Sequence, residues 1–333
     1  MQKLFLPLCV VFILSCISRH SIPYAKIEGL MQGTTYRIVY RSYAMENISA
    51  AIGSILYSID TTFSVYNPSS VVSRLNRNEY SSAFPAVFLD LLQEALRISQ
   101  QSHGYFDITV APLVQAYGFV PGEKKIPDSS RLDSLRQIVG YKNIVICENK
   151  VIKAHDKVQL DFNAIAQGYT VDVICDYLDS RGIKDYLVEV GGELRTKGKN
   201  PQGHAWKIGI DRPKENSIAG EDLQAVISLS GKALATSGNY RKFYVEDGIK
   251  YSHTINPLTG YPAKNTLLSA TVITDRCAMA DAWATAFMAM GMDSTLAFLK
   301  RMKNMQAYLI YSVAGDSMRS FVSEGLDTLL VEQ

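Results

Sequence analysis

The segment 275–291 constrains the fold of this chain more strongly than any other part of the sequence. It is rich in Ala and Met, it begins after a capping residue at Thr274 or Asp275, and it ends at Gly291. This pattern predicts an α-helix. Because nearly every side of that helix is apolar, the helix must lie inside the protein. The chain therefore has to build a core that encloses it.

Two polar residues interrupt this apolar helix, Asp281 and Thr285. They are four residues apart, so they share one face of the helix. A carboxylate in an apolar core must be paired or must coordinate a metal, because an isolated buried charge is costly. No His or Cys stands beside Asp281 at zinc-ligand spacing, and oxygen ligands suit Mg²⁺, with Mn²⁺ as another possible occupant. The alternative is that Asp281 pairs with an arginine or caps another element.

The composition is that of a globular protein. The chain has 333 residues, of which 47% are hydrophobic and 20% are charged, and this length can bury one large core or two smaller ones. The formal net charge of +2 gives no indication of a nucleic-acid partner. A small anionic ligand would have to be bound by local positive charge.

Helical and strand patterns alternate irregularly along the chain. In the first half, the predicted strands and helices are at 34–40, 46–61, 84–101, 143–152 and 158–161. A helix continues through 171–181, and the segment 276–302 is rich in helix. The polar stretch 121–135 indicates a surface excursion or a seam between two lobes. This mixture favours an α+β fold with mixed, largely antiparallel sheets and packed helices over a doubly wound sheet.

The N-terminus has the pattern of an export signal. Lys3 precedes the apolar run 4–14, which is too short to span a bilayer but suits a signal peptide. The run ends in Ile-Leu-Ser-Cys, which resembles the lipobox of bacterial lipoproteins and predicts a lipid on Cys16. A plain cleaved signal and an uncleaved anchor are the alternatives. We therefore expect a signal peptide at 1–15, a tether at 16–30, a folded domain at 31–333, and an exported lipoprotein that is attached to the inner membrane or faces the periplasm.

Two further segments contain candidate binding residues. At 160–172 a strand feeds into a helix, and Asp161 and Asn163 flank the start of that helix, where free backbone groups can bind phosphate or a cation. Ordinary capping by Asn163 is the alternative. Farther along, Gly-containing turns lie close to Arg241 and His253, and they form a candidate loop site for a phosphate-bearing ligand. Taken alone, His253 is more often a structural histidine than a base.

Taken in order, the sequence blocks resemble the ApbE family, whose members are FAD:protein FMN transferases. The blocks include Gly-Thr-Thr-Tyr at 33–36, Phe-Asp-Ile-Thr-Val-Ala-Pro at 106–112, the segment 161–172, Glu-Val-Gly-Gly-Glu at 189–193, Thr-Ser-Gly-Asn-Tyr at 236–240, His-Thr-Ile-Asn-Pro at 253–257 and Ala-Asp-Ala-Trp-Ala-Thr at 280–285. So many blocks in one order are far more specific than any single motif.

The resemblance implies an ApbE-like, two-lobed architecture related to the T-fold. It also implies a Mg²⁺ ion held by Asp281, Thr285 and the main-chain carbonyl of Ala164, and it makes His253 the candidate base. The residues that it places around an FAD pocket are Gln32, Tyr66, Tyr105, Phe106, Asp107, Asp161, Gln167 and Ile255.

The chain departs from the family pattern at three of its positions. Gln167 stands where many relatives carry lysine, Gln32 where many carry methionine, and Asn256 where aspartate is usual. Loss of the lysine removes a positive charge that could contact the flavin nucleotide, although an amide keeps its hydrogen-bonding capacity.

The implied reaction is attack of a Ser or Thr hydroxyl of an acceptor protein on the FMN-side phosphorus of FAD, with release of AMP. The expected acceptors are exported or membrane redox subunits. Two alternatives use the same residues. One is an FAD pyrophosphatase that uses water instead of the hydroxyl, and the other is a lipoprotein that binds FAD without chemistry.

Overall fold

The computed structural model describes residues 23–42, 48–80, 83–119, 126–214, 218, 220–239, 243–246, 249–314 and 317–331. Lys3, Cys16 and Arg241, which carry the predictions of a signal peptide, a lipid anchor and a phosphate contact, lie outside the described residues. In the part of the chain that is described, no helix is long and apolar enough to cross a membrane.

The strands form one large sheet and three small ones. In chain order they are β1 (Tyr24–Met31), β2 (Thr34–Arg41), β3 (Ile144–Cys147), β4 (Lys150–Lys153), β5 (Tyr186–Val190), β6 (Glu193–Lys197), β7 (Trp206–Asp211), β8 (Leu223–Leu229), β9 (Ala233–Gly238), β10 (Phe243–Glu246), β11 (Ile249–Ser252), β12 (Leu267–Thr274), β13 (Gln306–Ser312) and β14 (Met318–Val322). The large sheet has the order β1-β2-β5-β6-β9-β12-β13-β14, and its neighbouring strands are antiparallel. The predicted α+β class with largely antiparallel sheets is confirmed.

The helices are α1 (Ser49–Phe63), α2 (Val71–Asn76), α3 (Ala86–Gln101), α4 (Ala111–Ala116), α5 (Ser129–Arg136), α6 (Ala166–Ser180), α7 (Cys277–Met290) and α8 (Met292–Leu299). Helices α6 and α7 cover one face of the large sheet, and the β7–β8 hairpin packs on the other face. The α7 helix lies in the main core, where Trp283 and Phe287 are fully buried. The buried helix predicted from segment 275–291 is therefore confirmed.

Two sequence predictions need correction. Strand β1 begins at Tyr24 and pairs with β2 along its whole length, so residues 24–30 belong to the sheet and not to a tether. The segment expected to be a surface excursion contains a short helix, α5, which Asp128 caps and in which only Leu132 is buried. Residues 158–161 form no strand: the side chain of Asn76 binds both the amide and the carbonyl of Leu160, at 2.7 and 2.9 Å, and so replaces a strand partner.

Candidate functional site

The carboxylate of Asp281 lies against the first turn of α6. Its side chain is 6% exposed, and its Oδ2 accepts a hydrogen bond from the amide of Gly168 at 3.1 Å. Burial raises the pKa of Asp281 to about 7, and the hydrogen bond from Gly168 only partly opposes this shift. Because one amide cannot satisfy both carboxylate oxygens, the site favours a further positive partner.

The same hydrogen bond leaves the carbonyl of Ala164 available. In a regular α-helix the amide of Gly168 would donate to the residue four positions earlier, which is Ala164. Here that amide donates to Asp281 instead, and within the described ranges no main-chain amide donates to the carbonyl of Ala164. The structure thus brings the turn at Ala164 and the carboxylate of Asp281 to the same end of α6.

Thr285 lies one turn after Asp281 on α7, and its hydroxyl is 3.3 Å from the hydroxyl of Ser237 on β9. The donors at this site would be a carboxylate, a hydroxyl and a carbonyl, which are oxygen ligands that suit Mg²⁺. No group of three His, Cys, Asp or Glu side chains that could hold a metal occurs among the described residues. Of the three proposed ligands only Asp281 is one of these four residue types, so the proposed site would not form such a group.

Two glutamines join turns of the large sheet to α6, and Gln167 itself lies in the first turn of that helix. Gln32 adopts a φ of 55° in the β1–β2 turn, and its side-chain amide is 3.2 Å from the hydroxyl of Thr170 on α6. Gln167 lies over the β5–β6 turn, since a Cβ added to Gly191 would be 2.6 Å from its Nε2 atom. Two turns of the large sheet therefore close on the first two turns of α6, where Asp281 is bound.

Asp161 lies at the junction that precedes α6. Its side chain is 8% exposed and accepts hydrogen bonds from the amide of Asn163 at 2.7 Å and from its Nδ2 at 3.3 Å. Nδ2 of Asn163 also lies 3.5 Å from the hydroxyl of Tyr66, whose ring is mostly exposed. The alternative that Asn163 caps α6 is wrong, because the N-cap of α6 is Ile165 and has no side-chain cap. Asp161 also lines a cavity of about 180 Å³ with Arg77.

Asp107 is bound within a network of the protein's own donors. Oδ1 accepts the amide and the hydroxyl of Thr109 at 2.8 and 2.6 Å, and Oδ2 accepts the amide of Tyr141 at 2.6 Å. The preceding Phe106 is buried in the main core and Tyr105 is half-buried. The carboxylate of Asp107 therefore orders the loop around it. A ligand could contact this segment only through the atoms that stay exposed to solvent.

The loop that carries His253 is attached to the C-terminal end of α7. His253 is half-buried and follows β11 directly, while Ile255 is 6% exposed and pairs with Pro262. The Asn256 side chain accepts the amide of Leu258 at 3.0 Å and donates to the carbonyl of Ala289 at 3.4 Å. An aspartate at this position could not donate that second bond. The helix that carries Asp281 thus also anchors the His253 loop.

A groove of about 730 Å³ lies beside this loop and shares Asp107 with the predicted FAD pocket. Its wall includes Pro257, Leu258, Arg136, Lys142 and His103. Arg136 reaches the loop itself, where its guanidinium is 3.4 Å from the carbonyl of Leu258. Asp133 also lines the groove and pairs with Arg136 at 3.6 Å, so the wall carries charges of both signs.

The chain also matches a known protein family. The family model described as "ApbE family" matches residues 32–309. The chain belongs to the ApbE family. The match begins at the β1–β2 turn and ends in β13, so it includes every candidate site residue described above.

Named relatives of this ApbE-family chain are similar along most of their length. It is 34% identical over 312 residues to the FAD:protein FMN transferase of Vibrio cholerae, covering 91% of this chain and 92% of that protein. The FAD:protein FMN transferase of Escherichia coli K12 is 30% identical over 327 residues, with 94% and 91% covered.

Solved structures are similar as well. The flavin transferase ApbE of Vibrio cholerae superposes with a TM-score of 0.82 at 32% identity, covering 92% of this chain and 99% of that one. The apo flavinyl transferase ApbE of Pseudomonas stutzeri gives a TM-score of 0.82 at 31% identity, with 92% and 96% covered.

The sequence did not single out some residues that complete the site. Asn76 binds the strand-like segment before Asp161, Ser237 contacts the hydroxyl of Thr285, and Asp172 links α6 to α7. Ser237 and Asp172 lie inside blocks that resemble the family, whereas Asn76 lies in none of them. Their roles depend on contacts between distant segments, so no local pattern revealed them.

Proposed function

We propose that this chain is a Mg²⁺-dependent enzyme that transfers FMN from FAD to a Ser or Thr hydroxyl of an acceptor protein and releases AMP. The name shared by its relatives supports the reaction class. The observation that carries the metal requirement is the buried carboxylate of Asp281, which receives one amide hydrogen bond at a helix start where no main-chain amide of the described residues donates to the carbonyl of Ala164.

The donor set fits the ion that the family implies. Asp281, Thr285 and the carbonyl of Ala164 supply oxygen atoms of the kind that Mg²⁺ prefers. When bound, a divalent ion would neutralise charge on the diphosphate and on the leaving phosphate. Asp281 must be ionised to bind the ion, so its pKa of about 7 predicts weaker metal binding below that pH.

The remaining steps belong to the protein's own residues. The acceptor hydroxyl oxygen forms a bond to the FMN-side phosphorus, the bond from that phosphorus to the bridging oxygen breaks, and AMP leaves with that oxygen. His253 accepts the hydroxyl proton. The nucleotide would be oriented by the segments that carry Tyr66, Tyr105 and Asp161, next to the start of α6, where Gln32 contacts Thr170 and Gln167 lies beside Gly191.

The direct test incubates the purified chain with FAD and a candidate acceptor, with Mg²⁺ or with EDTA. We expect covalent flavin fluorescence on the acceptor band and stoichiometric AMP with Mg²⁺, and neither product with EDTA. Free FMN and AMP without labelled acceptor would instead identify a pyrophosphatase. Intact FAD that copurifies and is never cleaved would identify a binding protein.

The role of His253 needs a separate experiment. His253→Ala should leave FAD binding unchanged and slow flavin transfer by about 10²–10⁴-fold, because the acceptor hydroxyl loses its base. His253→Gln, which keeps a polar side chain but no base, should be equally slow. Transfer at the wild-type rate in either variant would remove His253 from the mechanism.

We also propose that the protein is exported and anchored through a lipid on Cys16, because the apolar run 4–14 is followed by a lipobox-like sequence. Such an anchor would place the enzyme beside exported redox subunits. Metabolic labelling with a fatty acid should mark the wild-type chain and not Cys16→Ala, and the variant should leave the membrane fraction. Equal labelling of both chains would contradict the anchor.

A further inference from the structure

Asp172 on α6 is buried and takes no part in the proposed chemistry. Its side chain is 0% exposed and lies one helical turn after Gly168, on the same face of α6. Oδ2 accepts a hydrogen bond from the amide of Ala278 at 3.0 Å. Ala278 stands in the first turn of α7, so the carboxylate of one helix binds the beginning of the other.

The start of α7 has no side-chain cap of its own. Its N-cap is Arg276, which makes no capping hydrogen bond, and the first turn contains no acidic residue. The free amides of a helix start favour a negative charge. Asp172 supplies that charge from α6, and Arg195 at 3.2 Å and Arg276 at 3.4 Å neutralise it.

The hydrogen bonds between α6 and α7 are reciprocal. Asp172 of α6 accepts the amide of Ala278 of α7, while Asp281 of α7 accepts the amide of Gly168 of α6. The residues of each helix are three or four positions apart, so both bonds lie along the line where the helices meet. Contact there is close, since a Cβ added to Gly168 would be 2.4 Å from the carbonyl oxygen of Cys277. The bond at Asp172 therefore fixes the position of α7 along the axis of α6.

We propose that Asp172 is a positioning residue for the metal site, because by capping α7 it places Asp281 beside the carbonyl of Ala164. This inference rests on the proposed metal-dependent function. Among the described residues, Asp172 binds Ala278, Arg195 and Arg276 and makes no hydrogen bond to Asp281, Thr285 or Ala164. It acts through α7, because a shift or rotation of that helix would move the carboxylate of Asp281 away from the start of α6.

Asp176 offers a matched control on the same helix. It is also paired with Arg195 and Arg276, at 3.3 and 2.8 Å, but its side chain is half-exposed. In the described part of the chain it accepts side-chain hydrogen bonds from Arg195 and Arg276 and none from a main-chain amide of α7. Asp176→Ala therefore disturbs the same two arginines and leaves the cap of α7 in place, while Asp172→Ala removes the cap.

The experiment measures Mn²⁺ binding by the electron paramagnetic resonance signal of the free ion, without FAD or acceptor, so that turnover plays no part. We expect the Kd for Mn²⁺ to rise at least about tenfold in Asp172→Ala and to change less than about twofold in Asp176→Ala. Asp172→Asn keeps an oxygen that can accept the amide of Ala278, and it should give an intermediate Kd if the cap matters.

The outcomes separate this inference from the proposed function. If the wild-type chain binds Mn²⁺ and Asp172→Ala binds it equally well, Asp172 has no positioning role, while the metal site stands. The same conclusion follows if Asp176→Ala weakens binding as much as Asp172→Ala. If Asp172→Ala does not fold, Asp172→Leu, which fills the space but has no oxygen for the amide of Ala278, takes its place, and a wild-type Kd in that variant overturns the inference. If the wild-type chain binds no Mn²⁺, the metal site itself is wrong, and this inference with it.

Discussion

Asp107 and Asp281 are equally buried carboxylates with very different surroundings. Each is 6% exposed. Asp107 accepts three hydrogen bonds, two from Thr109 and one from the amide of Tyr141, whereas the amide of Gly168 is the one donor to Asp281 in the described chain. The first region is complete within the protein. The second lacks such a set of donors, and that difference is the basis on which we propose Asp281 as a metal ligand.

The same difference governs the electrostatics. Burial raises the pKa of both carboxyl groups, and in Asp107 the bonds from Thr109 and Tyr141 oppose the shift. Asp281 has a single opposing bond, and its pKa rises to about 7. A carboxylate that the fold leaves partly unsatisfied is costly for stability and useful for binding a cation.

The largest expected effect follows from removing the incomplete carboxylate. Asp281→Ala should lower the rate of flavin transfer about 10³-fold, which corresponds to roughly 4 kcal/mol of transition-state stabilisation. The measurement is the rate of covalent flavin incorporation across a Mg²⁺ titration. If the variant stays active and its rate still depends on Mg²⁺, Asp281 is not the metal ligand, and its role is structural like that of Asp107.

Removing the complete carboxylate should mainly affect stability. Asp107→Ala leaves two amides and a hydroxyl without their acceptor, and each buried unsatisfied group costs about 1–3 kcal/mol. We expect the free energy of unfolding to fall by roughly 3 kcal/mol, measured by urea denaturation. The Mg²⁺ concentration for half-maximal activity should stay within about twofold of wild type. A shift in that concentration without loss of stability would contradict the structural role of Asp107.

Close contact between α6 and α7 is what brings Asp281 to the amide of Gly168. Gly168→Ala should destabilise the protein by about 1–3 kcal/mol, because its Cβ would overlap the carbonyl of Cys277 and push the helices apart. It should also raise the Kd for Mn²⁺. Gly53→Ala in α1 is the control, since a Cβ there meets nothing within 4 Å, and it should stabilise the protein by about 0.5–1 kcal/mol. If Gly168→Ala and Gly53→Ala have equal free energies of unfolding, α7 can move enough to accommodate the added Cβ at residue 168.

Local sequence patterns predicted much of the fold but not the contacts that complete the site. The apolar segment around Asp281 predicted the buried helix α7, because its composition and its end at Gly291 are local properties. The expected capping by Thr274 or Asp275 is wrong, since the N-cap is Arg276 and makes no side-chain capping bond. Asn76 takes the place of a strand partner for Leu160, and Asp172 caps a helix from another helix. Both depend on residues that are far apart in sequence, and no periodicity encodes such pairs.

The family resemblance placed Asp107 and Asp281 in one candidate site without distinguishing their roles. In the sequence, both are single carboxylates within apolar segments. Their difference arises from the loop at Tyr141, which turns its amide toward Asp107, and from the start of α6, where the amide of Gly168 is the one donor to Asp281 among the described residues. The number of donors that reach each carboxylate depends on the tertiary structure, so the sequence alone could not distinguish the two residues.

The smallest expected effect concerns pH and sharpens the comparison at Asp281 itself. In the unfolded chain its pKa returns to the ordinary value of 3.8, and in the folded protein it is about 7. Between these values the folded state binds more protons, so the contribution of Asp281 to stability falls as the pH rises from about 4 to about 7 and is constant above that.

Asp281→Asn removes this titration and keeps an oxygen for the amide of Gly168. In EDTA, the melting temperature of the variant minus that of wild type should therefore be larger at pH 8 than at pH 5, and the other carboxyl groups cancel in the difference. Mg²⁺ should raise the melting temperature of wild type at pH 8 and leave that of Asp281→Asn unchanged. If the difference in EDTA is the same at both pH values, Asp281 is ionised throughout this range, and its surroundings satisfy it as fully as those of Asp107.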